Sequence, residues 1–129
     1  MNIYVGTDII EVERIQDSIK EHGDNFINRI FTEEEIKYCE SKNEMKNQHY
    51  AARFAAKEAT FKAVSSLLNN KYSISWKNIQ IKNEESGKPK IFFLDLEEDV
   101  VKQLEPIKSI DVSLSHLKEY AIANVTAIV

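Results

Sequence analysis

Three short stretches of this 129-residue chain carry side chains of the types that serve electrostatic or proton-transfer chemistry. The first is Gly6-Thr7-Asp8, where a β-rich run ends with a small residue and a carboxylate. An aspartate there ordinarily makes a turn or caps a helix, so by itself it is weak ground for a site. The second is Arg53-Phe54-Ala55-Ala56-Lys57-Glu58-Ala59-Thr60-Phe61-Lys62. Helical spacing stacks Glu58 and Lys62 on one side, with Arg53 and Lys57 on a different stripe. Read alone, Glu58 and Lys62 make an exposed pair contributing about 0.3–0.5 kcal/mol. The third is Val112-Ser113-Leu114-Ser115-His116, a strand that delivers His116 at its end on the apolar face. A lone histidine in that position is more often structural than catalytic. Ser115 is no nucleophile partner for it, because adjacent strand residues point to opposite faces.

Other chemistries are missing. His22, His49 and Cys39 form no cluster at zinc-ligand spacing. With only 3 glycines, the chain has no phosphate-cradling loop of the P-loop or dinucleotide type.

The elements that must position these residues follow from periodicity. Ile3 to Ile10 reads as a strand with Ile3, Val5 and Ile9 on one face. Val12, Ile15 and Ile19 fall at helical spacing between Glu11 and His22, and His22-Gly23 closes that helix. Asp24 to Ile30 is a short helix, and Thr32 with Glu35 is a capping box that opens another, with Ile36 and a half-buried Cys39 inward. The longest helix runs from about Met45 to Leu68 and stops at Asn69-Asn70, residues that tolerate left-handed geometry. Along it Ala52, Ala56, Ala59 and Ala63 form a narrow stripe, which lets the helix backbone approach a neighbour closely. Then the period changes. Ile74–Ile81 and Lys90–Leu94 read as strands joined through Glu85-Ser86-Gly87-Lys88-Pro89, and Asp95–Leu104 as a helix. Ile110, Val112, Leu114 and His116 share one face of a further strand, while Tyr120–Val129 is apolar on both faces, as in a strand covered on both sides. The expected class is α+β, an antiparallel sheet packed with a long central helix and shorter helices, in one domain spanning residues 1–129.

Composition sets limits on function. The chain is 43% hydrophobic and 29% charged, with a net charge of -4, values of a compact folded protein. A mildly acidic surface without an aromatic-basic stacking face argues against nucleic-acid binding. No stretch has the length of a membrane span and no export leader is visible, so no membrane role is expected. The lone Cys39 fits a reducing, cytoplasmic location.

Taken together, the segments resemble the holo-acyl-carrier-protein synthase family, the small single-domain 4′-phosphopantetheinyl transferases. The resemblance rests on Gly6-Thr7-Asp8-Ile9-Ile10-Glu11-Val12-Glu13-Arg14-Ile15, Ile30-Phe31-Thr32-Glu33-Glu34-Glu35, Ala51 through Ala59 with Lys62-Ala63, Gly87-Lys88-Pro89 and Ser113-Leu114-Ser115-His116, in that order. The family moves the 4′-phosphopantetheine arm of coenzyme A onto a serine of apo-acyl carrier protein, releasing 3′,5′-ADP, in support of fatty acid biosynthesis. The resemblance implies Asp8 and Glu58 as Mg²⁺ ligands, and Lys62 as the lysine facing the phosphates. It implies that His116 lies near the coenzyme and that Arg53 and Gly87-Lys88-Pro89 flank its nucleotide. Glu58 and a metal-bound water are both chemically able to take the serine proton.

It further implies a homotrimer with sites between protomers, where Asp8, Glu58 and Lys62 face a neighbour's His116 or Gly87 loop. Acidic carrier protein is expected to dock on the first helix through Arg14, Ile15 and Lys20, although Ile15 and Ile19 equally suit the core. The chain departs from the family pattern at two places. After Lys62 it reads Ala63-Val64-Ser65-Ser66 in place of a short glycine loop, leaving serine hydroxyls as substitutes, and after His116 it has Leu117. The competing classes are a hydrolase that uses water at the same site, a non-catalytic carrier-binding module and a nucleic-acid-binding domain. The first would release 3′,5′-ADP without any carrier, and the retained Asp8, Glu58 and Lys62 argue against the second.

Overall fold

The computed structural model describes residues 1–129. The chain opens with strand β1 (Ile3–Glu11), which passes directly into helix α1 (Val12–His22). Gly23, at a φ of 55°, turns the chain into α2 (Asp24–Ile30). Helix α3 (Glu33–Glu40) starts at the expected capping box, with Thr32 accepting from the Glu35 backbone and Glu35 reaching back to the Thr32 N–H. The long helix α4 (Lys46–Val64) is followed by a 3₁₀ turn over Ser65–Leu67. Strands β2 (Ile79–Asn83) and β3 (Pro89–Phe93), helix α5 (Glu98–Leu104), and strands β4 (Ser109–His116) and β5 (Tyr120–Ile128) complete the chain. The class is α+β, as expected. No helix is long and apolar enough to cross a membrane.

The strands make two antiparallel sheets, β1-β5-β4 and β2-β3. The three-stranded sheet lays one face on α4, and the two apolar cores meet around that helix. Ala55, Ala56, Ala59 and Ala63 pack toward Ile79, Val112 and Val125, whereas Tyr50, Ala51 and Ala52 pack toward Val12, Ile15 and Phe31.

The alanine stripe does what its small size suggests. A Cβ placed on Gly6 would lie 1.9 Å from the Ala59 carbonyl oxygen and 2.8 Å from the Ala63 nitrogen. Strand β1 and helix α4 therefore touch backbone to backbone, which only glycine opposite alanine permits.

Several boundaries differ from the sequence expectation. The run Ile74–Ile81 becomes a strand only from Ile79, because Trp76–Asn78 forms a 3₁₀ turn closed by Ser75 and Asn78. Helix α4 ends through the 3₁₀ turn, and neither Asn69 nor Asn70 takes a positive φ. Cys39 is fully buried, and burial pushes its thiol up to about 12.

In β1 the Ile3-Val5-Ile9 face points outward, those residues being 60%, 56% and 62% exposed, since the inward positions are taken by Tyr4, Gly6, Asp8 and Ile10. The expectation that β5 is covered on both sides likewise holds on one side only: Ala121, Ala123, Val125 and Ala127 are buried while Tyr120 and Ile122 are exposed. Gly6→Ala is expected to lower the thermal unfolding midpoint sharply, with a cost at or above the ~1–3 kcal/mol typical of an overpacked core. An unfolding curve matching the wild type would contradict the backbone contact.

Candidate functional site

The close approach of β1 and α4 brings two distant carboxylates together. Asp8, next inward after Gly6 on β1, and Glu58, beside Ala59 on α4, line one cavity of about 350 Å³ together with Ile10, Arg14, Phe54 and Tyr120. Lys62 bends back across the strand. Its Nζ donates to the Thr7 carbonyl at 2.9 Å and to Asp8 Oδ1 at 3.3 Å. The Asp8 side chain is 19% exposed and Lys62 57%, so the ammonium reaches Asp8 from the more exposed side. Lys62 is thus paired across elements and not with Glu58 along the helix. Glu58 Oε1 instead accepts from Trp76 Nε1 at 3.0 Å.

Glu58 and Lys62 also line a neighbouring cleft of about 560 Å³, walled by Phe61, Tyr72, Ile74 and Trp76. Ser65 reaches this cleft, but its hydroxyl donates to the Lys62 carbonyl at 3.3 Å, and so is already engaged.

Asp8 and Glu58 offer hard oxygen donors, the kind Mg²⁺ takes alongside phosphate oxygens and waters. A lysine ammonium already drawn against Asp8 marks the place as one that attracts positive charge. The donor set fits a divalent cation.

The other anticipated residues lie elsewhere in the chain. Arg53 is buried at 2%, its guanidinium 4.0 Å over the Tyr38 ring, with Nη2 donating to Asn83 Oδ1 at 3.3 Å and Nε unpartnered. It floors a cleft of about 360 Å³ that includes Lys37, Tyr38, Lys82 and Asn83. Asn83 pairs with Pro89 across the β2–β3 hairpin, so Arg53 is joined to the base of the Gly87-Lys88-Pro89 loop. Lys88 forms an ion pair with Asp111 on β4, which holds that carboxyl below its ordinary range, and Gly87 faces open space.

His116 Nδ1 is 2.8 Å from Gln48 Oε1, and its ring meets His49 edge-on at 4.9 Å. Within the chain, then, Asp8, Glu58 and Lys62 converge, Arg53 meets the hairpin, and His116 stands with the start of α4. Leu117 is 67% exposed beyond it.

The first helix requires a correction. Ile15 is only 3% exposed and packs in the core with Val12 and Ile27, so it offers no docking contact. Arg14 is exposed and ion-paired to Glu11 at 3.3 Å, and Lys20 is exposed. An accessible apolar surface lies instead in a cleft of about 380 Å³ formed by Phe26, Arg29, Phe54 and Trp76. Sequence reasoning missed that cleft and missed Trp76. The Ser75-to-Asn78 capping pattern was the available signal.

Comparison with known proteins decides the family. The pattern defining the 4′-phosphopantetheinyl transferase superfamily matches residues 4–125. A holo-[acyl-carrier-protein] synthase of Protochlamydia amoebophila is 41% identical over 123 residues, covering 95% of each chain. The chain belongs to the holo-[acyl-carrier-protein] synthase family.

Solved members of that family share the fold. The holo-[acyl-carrier-protein] synthase of Neisseria meningitidis superposes with a TM-score of 0.80 at 34% identity, over 97% of each chain. That of Bacillus anthracis, in complex with CoA (3′,5′-ADP), superposes at 0.75 with 32% identity, over 96% of this chain and 94% of its own.

One titratable group beside His116 responds to its surroundings. Burial pushes the His49 imidazole down from its ordinary 6.5 to about 4, with His116 adding to the effect. Folding therefore favours neutral His49. That contribution to stability is present above pH 6.5 and is lost as the pH falls toward 4. Urea unfolding from pH 7 to 4 should show a smaller acid loss in His49→Gln than in the wild type; equal losses would contradict the assignment.

Proposed function

We propose that the Asp8–Glu58 cavity carries out the family's reaction: transfer of the 4′-phosphopantetheine arm of coenzyme A to a serine of apo-acyl carrier protein, with Mg²⁺, releasing 3′,5′-ADP. The observation that carries this reading is the meeting of Asp8 and Glu58 in one cavity, with the Lys62 ammonium 3.3 Å from Asp8 Oδ1.

In this reading Asp8 and Glu58 hold Mg²⁺, which supplies Lewis-acid stabilisation of pyrophosphate charge when bound. Lys62, freed from Asp8, turns its ammonium to the β-phosphate and offsets charge as the phosphoryl group transfers. The serine oxygen attacks the β-phosphorus, the bond to the bridging oxygen breaks, and the serine proton passes to a base at the cavity. Arg53, with its unpartnered Nε, and the Gly87-Lys88-Pro89 loop suit the nucleotide end of the donor, which carries a 3′-phosphate. Carrier protein, being acidic, meets Arg14 and Lys20 on α1, next to the apolar cleft of Phe26 and Phe54.

A homotrimer completes the reading. The outward face of the β1-β5-β4 sheet bears Ile3, Val5, Ile9, Tyr120 and Ile122, all at least 40% exposed, and Ile9 lies directly beside Ile122. An apolar row of this kind on a sheet face suits burial against another copy. Assembly would bring Arg53, His116 and the Gly87 loop of one protomer within reach of a neighbour's Asp8 and Glu58. Light scattering is expected to give three times the 14.9 kDa protomer mass, falling to one protomer in Val5→Lys/Ile9→Lys. A monomeric wild type would refute the trimer.

The reaction itself is tested by incubating the protein with coenzyme A, Mg²⁺ and apo-acyl carrier protein and weighing the carrier intact. A gain of one phosphopantetheine is expected, abolished by chelator and reduced about 100-fold or more in Asp8→Ala and Glu58→Ala. An unmodified carrier, with release of 3′,5′-ADP whether or not carrier is present, would point to the hydrolase.

A further inference from the structure

Glu58 is not free in the cavity wall. Helical spacing offers it Lys62 as partner, yet Lys62 goes to Asp8 and the Thr7 carbonyl, and Glu58 Oε1 takes the indole N–H of Trp76 at 3.0 Å. This is the only tryptophan in the chain.

Trp76 is anchored on several sides. Its carbonyl accepts from Lys57 Nζ at 2.8 Å, and its ring stacks on Phe54 with centroids 6.4 Å apart. The Arg29 guanidinium sits 5.9 Å over the ring, and Ser75 and Asn78 close the turn beneath it. An indole has one donor and no acceptor, so a ring held this way points its single N–H in a fixed direction. The donor is also neutral. It orients a carboxylate without cancelling the charge that draws a cation.

We propose that Trp76 is the positioning residue of the cation site: its N–H occupies Glu58 Oε1 and fixes the carboxylate, leaving Oε2 as the oxygen available to a divalent ion. The proposal rests on the reading of Asp8 and Glu58 as Mg²⁺ ligands. A carboxylate already held in one rotamer loses less freedom when it binds, and groups that orient a metal ligand typically contribute about 10–100-fold in metal affinity.

The decisive variant is Trp76→Phe, which keeps a ring against Phe54 and the backbone carbonyl for Lys57 but removes the N–H. Mn²⁺ binding is measured by electron paramagnetic resonance at fixed coenzyme A, with coenzyme A alone as control, on the wild type, Trp76→Phe and Asp8→Ala. Thermal unfolding is followed on each.

Trp76→Phe should unfold near the wild-type temperature and bind Mn²⁺ about tenfold more weakly. Wild-type affinity in a folded Trp76→Phe would overturn the proposal while leaving the cation site intact. A second measurement covers a variant that fails to fold. Mg²⁺ at concentrations that displace Mn²⁺ should shift the wild-type tryptophan emission, and not that of Asp8→Ala; an unmoved wild-type emission overturns the proposal. A wild type that binds no Mn²⁺ removes the cation site itself, and the proposal with it.

Discussion

The structure turns on an ion pair that no solvent reaches. Lys57 on α4 and Glu35 on α3 are both fully buried, with Nζ 2.8 Å from Oε1. Burial pushes the lysine down from its usual range, and the Glu35 carboxylate acts in the opposite sense. Every polar atom has partners. The ammonium donates also to the carbonyls of Trp76 and Ile79. The carboxylate accepts from the backbone N–H of Thr32 and of Ile81, both at 2.8 Å. A buried pair adds little net stability when intact, but losing one partner costs about 3–5 kcal/mol. Its effect here is to fix geometry. One pair ties α3, α4, the turn before β2 and β2 itself into a single orientation, and the next residue along α4 is Glu58.

On the other side of α4 a different constraint operates. There the helix meets β1 through Gly6, Ala59 and Ala63 with no side chain between the backbones. Ionic fixation on one side and main-chain contact on the other leave α4 no freedom to rotate or slide. Four charged residues of this helix thus divide by role: Lys57 holds the fold, Arg53 floors a separate cleft, Glu58 lines the cavity of Asp8, and Lys62 reaches the Asp8 carboxylate itself.

Much of this was legible in the sequence. The capping box at Thr32, the closure at Gly23, the long helix and the alternating strand ending in His116 all follow from local chemistry, and the structure has them. The meaning of the alanine stripe was legible too, though not its partner. What sequence reading missed depends on contacts between distant segments. Nothing local says that Glu35, a capping residue, also pairs with Lys57, or that Ile9 faces out, and helical spacing alone left Ile15 open between core and docking surface. The strand expected from Ile74 hid the 3₁₀ turn that brings the Trp76 indole to Glu58, because a β-rich composition outweighed two capping residues. The convergence of Asp8 and Glu58 came from family resemblance alone.

The missing Cβ of Gly6 has a consequence for how the protein assembles. Sliding β1 by one residue along β5 would bring Val5 or Thr7 under the Ala59 carbonyl, where no side chain fits, and would turn Asp8 away from the helix. Gly6 thus proofreads the strand: a chain paired out of step cannot close onto α4. Closure onto α4 and the meeting of Asp8 with Glu58 therefore depend on the same register.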